Sequence, residues 1–258
     1  MKEDNFFCPI CKGLGFIFTP NGVKKCKCSD KKFNLNRYLN IPKRFENASL
    51  YGIGHYLSKL GVSLVREYLG KFEEYYKSGV GLLFVGPPGV GKTYTAIALI
   101  KYLYLKYKVQ GLFIDTKELS VKLKAGFADN RYHQIINALL KMPILLLDDL
   151  GNEELTDWYR EILVSILSYR YNQKKVTFIT TNYYPSFLLK ANRNISYKEG
   201  VKVVKGQKVA MEDIIPKEVN EELLLDNRLG SHIISRLAEM TIAIPMSGKD
   251  KRVKKVVV

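Results

Sequence analysis

Residues 80–94 read VGLLFVGPPGVGKTY: an apolar run, a glycine-rich turn, then a Lys-Thr pair that opens a helical pattern reaching residue 107. No other stretch constrains the fold so strongly. An apolar run of this length bounded by glycine reads as a buried strand. The GxxxxGK[ST] pattern after it requires strand, loop and helix in direct succession, with backbone amides converging at the helix N-terminus. Gly86, Pro87, Pro88, Gly89, Val90 and Gly91 form the loop, and Tyr94 stands in the first helical turn. Lys92 is placed to reach the β- and γ-phosphates of a nucleoside triphosphate, and the Thr93 hydroxyl to ligate Mg²⁺. ATP and magnesium are the expected cofactors.

Four more apolar runs, 111–115, 143–148, 176–182 and 241–245, read as buried strands. Helical spacing fills 58–77, 116–127, 131–141, 156–172 and 228–239. Alternation of this kind predicts an α/β fold with a five-stranded parallel sheet covered on both faces. The run at 143–148 ends in Asp148-Asp149, which puts carboxylates at the C-terminal sheet edge where α/β ligands bind. Asp148 then belongs to the magnesium shell, and Asp149 orients or deprotonates the attacking water. Asn182 closes "FITTN" and is placed to position that water or touch the γ-phosphate. The plain alternatives are two acids capping a strand and a turn-forming asparagine. The stretch 192–216 breaks the rhythm; its valines and lysines alternate around Lys205-Gly206 and predict an inserted β-hairpin.

All four cysteines fall in the first 28 residues, as Cys8-Pro-Ile-Cys11 and Cys26-Lys-Cys28. Two such pairs, joined by a hairpin turning at Pro20, Asn21 and Gly22, can grip one tetrahedral Zn²⁺. A segment this short has almost no core, so the metal would supply its folding energy. Paired disulfides or a redox Cys-x-x-Cys are the alternatives. The expected organisation is a four-cysteine zinc-binding module over 1–30, a basic linker over 31–57 and an ATPase domain over 58–258.

A net charge of +16 favours a polyanionic partner over a merely solvated lysine surface. Basic clusters lie at 24–44 and 249–255. The start, MKEDNFF, has no apolar stretch like a secretory signal, and no run approaches a membrane span, so the expectation is a cytoplasmic protein without a membrane partner. Asp115 and Glu118 fit a capping box opening the 116–127 helix. Leu119, Leu123 and Phe127 are expected to face inward, leaving Lys117, Lys122 and Lys124 to follow a phosphate backbone, or simply to be solvated.

"DNRLGSHIISRLAEM", residues 226–240, carries Arg228 and Arg236 on what reads as one amphipathic helix. With the glycine-proline loop, "LLLDDLG", "SYRYNQKKVTFITTN" and "NIPKRF", it resembles the AAA+ ATPases of the DnaC/DnaI replicative-helicase loader and IstB transposition-helper family, over roughly residues 41–252. "CPICKGLGF" with "CKC" is similar to the zinc-binding start of some loaders. The resemblance implies that Lys92, Thr93, Asp148 and Asp149 keep their phosphate, magnesium and water roles, and that Asn182 is the first sensor. It also implies that Arg236 is an arginine finger reaching the nucleotide of a neighbouring subunit, and that Arg252 is the second sensor. Arg228 has no assigned role. Self-association, a ring helicase and single-stranded DNA are the implied partners, and slow hydrolysis stimulated by assembly or DNA is the implied activity. A transposition helper, a non-hydrolysing ATP-binding adaptor and a P-loop small-molecule kinase are the competing functions.

Overall fold

The computed structural model describes residues 34–128, 131–153, 156–193 and 219–252, together with four short strands outside those stretches. The chain divides into two compact units, Met1–Glu46 and Asn47–Val258. Residues 47–57, assigned to the linker on sequence, thus group with the second unit.

In the first unit, β1 (Phe16–Thr19) and β2 (Gly22–Lys25) pair antiparallel, with Phe16 opposite Lys25. This is the hairpin expected between the two cysteine pairs; Cys8, Cys11, Cys26 and Cys28 themselves lie outside the described residues. The short helix α1 (Leu35–Tyr38) is capped by the Asn34 side chain, which accepts from the Asn36 and Arg37 N–H groups. A 3-10 turn over Lys43–Phe45 follows Pro42.

The second unit opens with a 3-10 segment, Leu50–His55, then α2 (Lys59–Gly70) and α3 (Phe72–Ser78). The helical pattern at 58–77 is therefore two helices. Lys71 leaves helical geometry at φ −109° and ψ 21°, which lets Phe72 turn inward onto Tyr68 and Tyr107. Next come β3 (Gly81–Val85), α4 (Lys92–Tyr107), β4 (Gly111–Asp115), α5 (Thr116–Ala128) and α6 (Tyr132–Lys141). Then β5 (Ile144–Asp148), α7 (Asp157–Asn172) and β6 (Val176–Thr181) complete the central region. The helix α8 (Ser186–Arg193) was not anticipated from sequence. Within the 192–216 insertion, β7 (Val203–Val204) and β8 (Gln207–Lys208) pair antiparallel, in keeping with a hairpin. The chain closes with α9 (Leu225–Leu229), α10 (Ser231–Met240) and β9 (Thr241–Pro245).

Five strands form one parallel sheet in the order β4-β5-β6-β3-β9. Every residue of β3, β5 and β6 is buried, which is why these runs lack the alternation of a half-exposed strand. On one face Leu83, Val85, Leu145, Leu147 and Ile179 pack with Leu119, Leu163, Ile233 and Leu237 from α5, α7 and α10. On the other, Phe178 meets Tyr68 of α2 at 5.8 Å between ring centroids.

Two further sequence expectations change. Residues 226–240 are not one helix: Gly230, at φ 89° and ψ 147°, separates α9 from α10. Phe127 does not face the core: it is 54% exposed and stacks on Tyr132 at 4.3 Å. Lys122 pairs with Glu118 at 2.7 Å, a solvent-exposed contact one turn apart on α5. Asp115 does cap α5, accepting from the Lys117 and Glu118 N–H groups. No helix among the described residues is long and apolar enough to cross a membrane.

Candidate nucleotide site

The sheet order explains how distant residues meet. β6 lies between β5, which ends in Asp148, and β3, which feeds the glycine-rich loop. Asn182, one residue past β6, therefore stands between the loop lysine and the acids. Lys92 is buried, and its ammonium donates to the carbonyls of Gly86 (2.7 Å) and Pro87 (2.8 Å) and to Asn182 Oδ1 (2.7 Å). The other end of the same amide donates from Nδ2 to Asp149 Oδ1 at 2.9 Å. Asn152 Nδ2 donates to the second oxygen, Asp149 Oδ2, at 2.6 Å. A continuous relay thus runs Lys92–Asn182–Asp149–Asn152.

Asp149 adopts a left-handed backbone at φ 60°, a conformation that costs a non-glycine residue about 1–3 kcal/mol. Thr180 holds it there. Its Oγ1 accepts the Asp149 N–H (2.9 Å) and donates to Asp148 Oδ1 (2.6 Å), so one hydroxyl sets both acids. Burial pushes the Asp148 carboxyl up to about 6, against the lowering hydrogen bonds from Thr180 and Thr93 and helped by the charges of Asp149 and Asp115. Burial likewise lowers the Lys92 ammonium to about 8, opposed by the Asp149 and Asp148 charges. Thr93 lies close enough to Asp148 to influence its titration, a hydroxyl and a carboxylate of the kind that hold Mg²⁺ together with phosphate oxygens and water. When bound, the ion would draw electron density from the phosphate oxygens.

Several contributors carry no local sequence signal. Arg228 donates from Nε to Gly151 O (2.8 Å) and from Nη2 to Glu153 O (2.6 Å), with its guanidinium 5.3 Å from the Tyr183 ring centroid. Glu153, 2% exposed, accepts from Thr116 Oγ1 (2.8 Å) and the Gly151 N–H (2.9 Å), and burial raises its pKa. Arg228 and Glu153 together fix the loop just beyond the acids.

The two late arginines lie apart. Arg252 follows β9, whose end borders the phosphate loop through a Met246 N–H to Val85 O bond of 2.7 Å. Arg236 Nη1 donates to Ser168 Oγ of α7, and its guanidinium stands 5.9 Å from the Tyr171 ring centroid. Tyr171 in turn donates to Glu239 Oε2 at 2.5 Å. Because β9 runs parallel to β3, with Thr241 beside Gly81, α10 enters the sheet at the edge opposite the phosphate loop. Lys117 and Lys124 are exposed on α5.

A glycine-rich loop between a buried strand and a helix, acids on β5 and an asparagine on the strand between them define a P-loop ATP-binding protein of the AAA+ type. Residues 73–186 match the family of IstB-like ATP binding proteins. The chain is 31% identical to the crystal structure of the DnaC helicase loader, covering 80% of this chain and 100% of that one at a TM-score of 0.59. It is 32% identical over 125 residues to the replicative helicase loader DnaI of Bacillus subtilis (strain 168), spanning 48% of this chain and 40% of that protein. Against the replicative helicase loader DnaC of Buchnera aphidicola it is 27% identical over 175 residues, 67% of this chain and 62% of that protein. The match thus spans less than two thirds of the length of either of these two loaders. The chain belongs to the AAA+ ATPase family of the DnaC/DnaI helicase loaders and the IstB-like proteins.

Proposed function

We propose that this protein is a cytoplasmic, ATP-controlled loader that places a ring-shaped replicative helicase on single-stranded DNA. The observation that carries the reading is the likeness to the DnaC helicase loader over that chain's whole length. The relay from Lys92 through Asn182 to Asp149 supplies the switch that a loader needs. Lys92 and the loop from Gly86 to Gly91 hold the phosphates, with Tyr94 beside them; Thr93 and Asp148 hold magnesium. Asp149 orients the attacking water, and Asn182 reports the γ-phosphate to it. Arg252 meets the nucleotide from the same chain. Arg236 completes a neighbour's site, so that hydrolysis waits for assembly. Lys117, Lys122 and Lys124 follow the DNA backbone, while the cysteine-bearing head, with one Zn²⁺ on Cys8, Cys11, Cys26 and Cys28, docks on the helicase.

Capture of the host's replicative helicase by the full chain, in the presence of ATP, is the direct test; no binding with any nucleotide state sinks the loader reading. A transposition helper is the second reading, favoured by the match of residues 73–186 to IstB-like proteins. Filaments on duplex DNA and a transposase partner would select it. Turnover separates the remaining classes: a kinase leaves a phosphorylated acceptor, and a binding adaptor takes up ATP without releasing phosphate.

A further inference from the structure

The segment after β9 folds back over the phosphate loop. The Met246 N–H anchors it to Val85 O, and the Lys251 N–H donates to Gly89 O at 3.1 Å. Between these anchors the Asp250 carboxylate lies against the loop backbone: a Cβ built on Gly89 would stand 1.9 Å from Asp250 Oδ1. Gly89, at φ 78°, leaves room for this approach, and a side chain there would have to displace the carboxylate. On its other side the segment is steadied by the Lys251 ammonium, 4.3 Å from the centroid of the Tyr56 ring, which packs in turn on Tyr94 at 4.8 Å.

Asp250 does more than fill space. Its Oδ1 accepts the Arg252 N–H (2.8 Å) and Nε–H (3.1 Å), and its Oδ2 accepts from Arg252 Nη2 (3.0 Å). Two oxygens facing a guanidinium fork is the arrangement that a phosphate also offers. The Arg252 charge helps lower the pKa of Lys92, so this guanidinium lies within electrostatic reach of the phosphate-binding ammonium.

We propose that Asp250 is an intramolecular competitor for the terminal phosphate, holding Arg252 against the loop until a nucleoside triphosphate displaces the carboxylate. The inference rests on Arg252 being a nucleotide contact. Asp250 then sets selectivity between tri- and diphosphate. The ion pair is half-exposed, with side-chain accessibilities of 50% and 35%, and such pairs are weak enough for a more highly charged group to replace. A diphosphate lacks the group that competes, so Arg252 stays on Asp250.

Binding of a non-hydrolysable ATP analogue and of ADP to the full chain tests this with Asp250→Asn, Arg252→Ala and the double variant. Asp250→Asn is expected to raise affinity for the analogue about fivefold and to leave ADP within about twofold, the range of a partly exposed charge pair. Arg252→Ala should weaken the analogue, and on that background the gain from Asp250→Asn should fall to within about twofold. A gain that persists undiminished without Arg252 would mean simple charge repulsion and overturns the competition. So does an unchanged affinity in Asp250→Asn when Arg252→Ala binds the analogue weakly. If Arg252→Ala binds normally, it is the reading of Arg252 as a phosphate contact that falls, and the competition with it.

Discussion

Burying an ammonium and a carboxylate beside one loop shifts both proton affinities, and the two shifts work on opposite sides of neutrality. Lys92 is lowered to about 8 by burial, so the nucleotide-free lysine loses its proton as pH rises through that value. Phosphates favour the charged form, and affinity should fall above about pH 8. Asp148 is raised to about 6, again by burial, and a protonated carboxyl cannot ligate magnesium. Magnesium-dependent affinity should therefore fall as pH drops below about 6, by up to about tenfold per unit. Calorimetric titration with a non-hydrolysable ATP analogue from acid to alkaline pH should give a plateau between these limits; a flat profile would contradict both assignments. Thr180→Val removes the hydrogen bond that lowers the Asp148 pKa, so the acid limb should move to higher pH. Loss of Lys92 itself, as Lys92→Ala, should abolish nucleotide binding in the same titration.

At the scale of elements, Arg170 is the joint most exposed to test. It is fully buried, and its guanidinium meets carbonyls and one hydroxyl. Nη1 donates to the carbonyls of Leu139 (2.7 Å) and Met142 (2.9 Å) at the end of α6; Nη2 donates to Val176 O (2.7 Å), and Nε to Thr177 Oγ1 (2.9 Å) in β6. One side chain thus closes the C-terminus of α6, where its charge suits the helix dipole, and ties it to the strand that carries Thr180 and Asn182. Arg170→Leu would leave those carbonyls buried without donors and should cost about 3 kcal/mol or more, read as a lower denaturation midpoint. Lys would not substitute, because a single ammonium cannot span α6 and β6. "SYRYNQKK" shows the arginine but not its burial. The strands were legible because residues buried on both faces write continuous apolar runs, and the phosphate loop because its chemistry is local in sequence. Thr180, Arg228, Glu153 and Asp250 were not legible, since each acts on a partner that only the sheet order or a returning segment brings near. The single helix expected at 226–240 failed on Gly230, whose left-handed backbone splits it without interrupting the apolar spacing.

For the whole molecule, a charge of +16 favours a polyanionic partner, and Arg236 lies on α10, whose C-terminal end meets the sheet at the edge opposite the phosphate loop. Arg236 rests on Ser168 and Tyr171 through one hydrogen bond and a ring face, contacts that an incoming γ-phosphate can outbid. On the proposed role in a neighbour's site, turnover should depend on concentration more steeply than binding does. Arg236→Ala should leave ATP affinity of the monomer unchanged while lowering the rate reached at high protein concentration with single-stranded DNA by about a hundredfold, the effect of removing one transition-state donor. Phosphate release measured against protein concentration decides it. Equal stimulation of the variant and the parent would place the completing cation elsewhere, and a variant that also bound ATP poorly would show that Arg236 serves its own fold. With the α5 lysines following DNA as proposed, raised salt should suppress the DNA-dependent part of the rate more than monomer binding, because those contacts act through counterion release whereas Lys92 is buried.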